Sequence, residues 1–158
     1  MQFVSEDIID DVLEELGHSA ELPAEALDKL REEQPVVLAY LFTENFNAFL
    51  RQEKEYLLYL LLVMWEATKR VDDQVPEVTE EALSRAEETN WDTLQEVKSK
   101  RFRDRLDVFF ARTTQEDLLA FIEDSLLDEE DGFVSKEGRE PMFVILKSIL
   151  DCWNADQH

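Results

Sequence analysis

The sequence predicts an all-α fold, one compact domain spanning residues 1–158, with six to eight helices packed around central helices near 35–50, 53–72 and 141–154. Three observations carry that expectation. Apolar residues return every three or four positions through most of the chain. No glycine stands between Gly17 and Gly132, and the chain has only four prolines, so the turn-formers that hairpins require are missing. The apolar share is 44%, with ten Phe, three Trp and three Tyr, which fills a real core and argues against disorder.

The first helix has clear start and stop signals. Ser5 suits an N-cap, Glu6 and Asp7 sit at the positive end of the dipole, and Val4 can staple onto Ile9. Ile8, Ile9, Val12, Leu13 and Leu16 recur at helical spacing, and Gly17 supplies the stop. Six carboxylates (Glu6, Asp7, Asp10, Asp11, Glu14 and Glu15) occupy the other face. A short helix from Pro23 to about Glu33 turns Leu27 and Leu30 inward.

Pro35 opens the third helix. From Val36 to Val75 neither Gly nor Pro interrupts, too long for one helix of a compact domain, and the polar Arg51-Gln52-Glu53-Lys54 is the expected break. Helix three (35–50) is apolar at Val37, Leu38, Leu41, Phe42, Phe46, Phe49 and Leu50. Helix four (53–72) is apolar nearly all round from Tyr56 to Trp65, as a central helix is. That run covers ten residues against the roughly twenty of a membrane span.

Thr79 caps the next helix, with Val78 and Leu83 as staple. A break near Thr89-Asn90 then precedes a longer helix from Trp91 to Arg112. Thr113-Thr114-Gln115-Glu116 reads as a capping box for a helix to about Leu127 with Leu118, Leu119, Ile122 and Leu126 inward. Asp128 to Glu140 is an acidic loop, and Pro141 opens the last helix, whose stripe is Met142, Phe143, Leu146, Ile149, Leu150 and Trp153. There is no internal repeat, interdomain linker or low-complexity tract.

Formal net charge is −22, which excludes free nucleic acid and anionic membrane surfaces as partners of the surface as a whole. Cys152 is the only cysteine and cannot close an intramolecular disulfide. With no basic, apolar leader at the N-terminus, the reading is a soluble cytoplasmic protein.

No motif carries chemistry. The segment 127–138 lies between helices as a calcium loop would, with Gly132 at the turn and Glu129 and Asp131 at ligand positions. Its first ligand position is however Leu127 and its twelfth Gly138, so an acidic connection is expected and calcium is not. Glu15-Leu-Gly-His18 has the spacing of a helical di-metal motif, but it stands alone and straddles Gly17, while His158 lacks any comparable partner. Nucleophile elbow, phosphate loop and dinucleotide fingerprint are absent, and Cys152 lies beside the apolar stripe as filler. No catalytic, cofactor-binding or metal-binding residue is therefore assigned.

Charge is distributed unevenly. Net charge is −11 over residues 1–66 and −9 over 114–158, but only −2 over 67–113. On one helix Lys98, Arg101, Arg105 and Arg112 fall within roughly a 60° arc, beside a face bearing Trp91, Phe102 and Phe109. The stripe either pairs with neighbouring acidic helices or forms a docking face for an acidic or phosphorylated partner segment. The function expected is a non-enzymatic interaction or scaffold domain, with a protein partner or homodimer. The alternatives are a nucleic-acid mimic that inhibits a basic protein, and an enzyme using Glu44, Glu53, Glu55 or Glu66 or a metal in the bundle. Acidity also has a plainer origin, since seven lysines among so many acids suit a saline cytoplasm.

Overall fold

The structure, a computed structural model, describes residues 1–17, 23–42, 48–127 and 133–154. Among them are eight helices and no strand: α1 Glu6–Leu16, α2 Ala24–Glu33, α3 Pro35–Leu41, α4 Arg51–Val71, α5 Glu80–Glu96, α6 Phe102–Phe110, α7 Glu116–Leu126 and α8 Lys136–Asn154. The all-α expectation holds. None of these helices is long and apolar enough to cross a membrane.

One continuous core runs through the molecule, built on α4 and α8. Every residue of α4 from Leu60 to Trp65, and of α8 from Met142 to Leu150, is buried. The two helices meet where Trp65 and Trp153 pack at 5.0 Å. α1 lies along α4, and α5 lies along α8. Phe143 of α8 takes Phe109 edge-on at 5.1 Å and Phe102 at 6.3 Å, which seats α6.

Caps are as expected in α1, where Ser5 Oγ accepts from the Ile8 amide and Gly17 turns the chain at φ 74°, a conformation glycine adopts without strain. Thr79 caps α5 through the Ala82 amide.

Boundaries differ in five places. The expected helix 35–50 ends at Leu41; Phe46 lies outside the described residues, and Phe49 and Leu50 are not helical. Arg51-Gln52-Glu53-Lys54 is not a break but the first turn of α4, because Glu53 at the third position reaches back to the Leu50 amide at 2.9 Å. No break occurs at Thr89-Asn90; α5 runs through and stops at Glu96. On a straight helix Leu106 would fall about 120° from Leu94, so residues 97–101 interrupt the helix to bring both onto the core. Glu116 completes no capping box, since Gln115 is the cap of α7 and makes no side-chain capping bond. Finally, α8 begins at Lys136, and Pro141 sits inside it.

Two buried glutamines fasten irregular backbone to the core. Gln34 donates to the Pro76 carbonyl and accepts from the Val78 amide. Gln115 accepts from the Val4 amide and donates to the Gln2 carbonyl and Asn154.

Candidate interaction site

The start of α8 is built around a buried carboxylate. Glu53 is only 2% exposed. One oxygen holds the Leu50 amide, and the other accepts from the Ser135 amide at 3.0 Å and the Ser135 hydroxyl at 2.8 Å. Ser135 Oγ in turn accepts from the Gly138 amide and so caps α8. The helix approaches so closely that a Cβ at position 138 would stand 2.3 Å from Glu53 Oε2. Glycine is required there by space, not by backbone conformation. A buried carboxyl group is tolerated here because donors meet both of its oxygens.

Beside this latch opens a cleft of about 520 Å³. Its apolar lining comes from Phe49, Trp91 of α5, and Pro141, Val144 and Ile145 of α8. Glu53, Glu87 of α5 and Glu137 of α8 are its acidic lining. Tyr40 of α3 donates to Glu87 at 2.9 Å. Burial, and then the Glu87 charge beside it, hold the Tyr40 phenol above its usual range, so it remains a donor. Pro141 has no amide hydrogen, which leaves the Glu137 carbonyl on the same helix without its intrahelical donor. Close in the chain to the cleft-lining Phe49 and Ser135 are two exposed apolar side chains, Leu50, 56% exposed, and Phe133, 41% exposed, whose ring stacks on Tyr56 at 5.0 Å.

Of the seven expected docking residues, the structure does not make one face. Lys98 and Arg101 lie in the 97–101 connection, while Arg112 lies beyond the far end of α6; all three are exposed. Arg105 is committed inside the molecule. Its guanidinium binds Glu140 at 2.9 Å and the carbonyls of Leu94, Val97 and Ser99, closing the C-terminal end of α5. Phe109 is core and Phe102 half-buried against Phe143, whereas Trp91 faces the cleft described above. A neighbouring arginine, Arg103, joins α6 to α7 through Glu123 and Asp124. Burial raises the Glu123 carboxyl above its ordinary range, which Arg103 partly offsets.

The carboxylates considered for catalysis are scattered. Glu53 is in the latch, Glu55 is exposed and pairs with Arg51, Glu66 is half-buried, and Glu44 lies outside the described residues. Also outside them are Glu129, Asp131, Gly132, His18 and His158; Glu15 pairs with Arg70. Among the described residues no group of three His, Cys, Asp or Glu is placed to hold a metal ion. Burial, and then Asp151, push the Cys152 thiol up to about 11, far from the range of an activated nucleophile.

Sequence reasoning missed the cleft. Its signals were present as the Ser135-to-Gly138 spacing and a glutamate three residues after Leu50, but the first was read as loop and the second as a break. No family model, curated protein or solved structure matches the chain.

Proposed function

We propose that the protein is a non-enzymatic, acidic helical interaction domain that docks a protein partner at the cleft between α4, α5 and α8. The observation that carries this reading is an apolar-lined cleft of about 520 Å³, with two solvent-exposed apolar side chains, Leu50 and Phe133, adjoining its lining segments in the chain. Apolar side chains clustered at a concave site mark binding surfaces more often than isolated ones do. The site working in the cytoplasm fits a single cysteine with no disulfide partner in the chain.

Replacing Leu50 and Phe133 together by Glu tests the reading. The wild-type chain is expected to retain a discrete partner from a lysate of its source. The double variant is expected to lose it while its melting temperature stays within a few degrees, as for surface substitutions. Retention of the same partner by the variant would contradict the docking role of this cleft.

A second reading has its own support. The six carboxylates on the outer face of α1 are all solvent-exposed, as a surface imitating a phosphate backbone requires. Binding by that face would be steep in salt and indifferent to Leu50 and Phe133.

A further inference from the structure

We infer that the occupant of the cleft is a basic amphipathic segment of a partner protein, with an apolar side chain set against Trp91, Val144 and Ile145 and a neighbouring Lys or Arg reaching Glu87 and Glu137. This rests on the docking reading above and names the partner's chemistry.

Charge complementarity selects the occupant. Many cations of this chain are already paired, among them Arg70 with Glu15, Lys69 with Glu33, Arg103 with Glu123 and Arg105 with Glu140. Among the described residues neither Glu87 nor Glu137 has such a cation, and the one hydrogen bond Glu87 accepts there comes from the neutral Tyr40 phenol. Both carboxylates stand beside apolar side chains, where a cation meets less competition from water than on an open surface. Trp91 offers a ring to the same cation. A second copy of the chain is disfavoured, because each copy carries −22. A free small amine would leave Leu50 and Phe133 uncovered, whereas an amphipathic segment covers them.

The test uses the full chain and two synthetic amphipathic peptides of about four turns, identical in their leucines, one carrying Lys and Arg and the other Glu at the polar positions. Labelled-peptide anisotropy is measured at 150 mM salt. Glu87→Gln with Glu137→Gln removes the cleft charges while leaving Tyr40 an acceptor. Asp10→Asn with Glu14→Gln removes as many from the exposed face of α1. The basic peptide is expected to bind about tenfold more weakly to the cleft variant and to change less than about twofold with the α1 variant. Equal weakening by both variants would overturn the inference, because general charge attraction then accounts for the binding. Binding of the acidic peptide that is lost on Leu50→Glu would overturn the basic occupant yet keep the docking reading. If neither peptide's binding responds to Leu50→Glu, the docking reading falls as well.

Discussion

Glu53 gathers three donors from two segments far apart in sequence, and this explains the glycine opposite it. Glu53→Ala strands the Leu50 and Ser135 amides, each a loss of about 1–3 kcal/mol where water does not replace the carboxylate. The expected cost is about 3 kcal/mol by urea denaturation. Gly138→Ala alone drives a methyl into the carboxylate and is expected to cost about 1–3 kcal/mol. In the Glu53→Ala background the 2.3 Å obstacle is gone, the Ser135 hydroxyl at 3.2 Å remains and alanine favours the helix, so the same change is expected to cost clearly less than in the wild type. Additive losses in that cycle would contradict the close approach. This latch was only half legible in the sequence. Ser135 and Glu53 each belong to a recognisable capping pattern, but nothing in one chain says that they share an end of the bundle. Gln34 and Gln115 were not legible either, because each is chosen by the irregular backbone it satisfies rather than by periodicity.

Helices are where sequence reasoning succeeded best. α1 was placed with both caps, and the apolar runs of α4 and α8 were recognised as central, since burial on every side leaves no polar face to misread. The stretch 91–112 failed because a charge stripe and an apolar stripe both look continuous when an ideal helix is assumed. The interruption at 97–101 divides the stripe and gives Arg105 to the end of α5. Arg105→Ala is expected to cost about 2–4 kcal/mol, since it removes charge-assisted bonds to three carbonyls and Glu140. Arg105→Lys is expected to recover only part of it, for want of the planar fork. Arg101→Glu, at an exposed position, is expected to stay within about 0.5 kcal/mol. Equal losses at positions 101 and 105, by chemical denaturation, would contradict this division of roles.

Across the whole molecule, an acidic exterior encloses one apolar core, and the cleft is where the two meet. Net charge was plain from the sequence and narrowed the classes of partner. It did not locate a site, because acids are spread along the whole chain and only the folded arrangement leaves Glu87 and Glu137 beside Trp91. The most direct measurement is amide and indole chemical-shift mapping of the labelled chain titrated with the basic amphipathic peptide. The predicted result is a saturable shift of the Trp91 indole and of the Phe49, Ser135 and Ile145 amides, with α1 unmoved. Shifts confined to the carboxylate face of α1 would contradict a docking cleft between α4, α5 and α8.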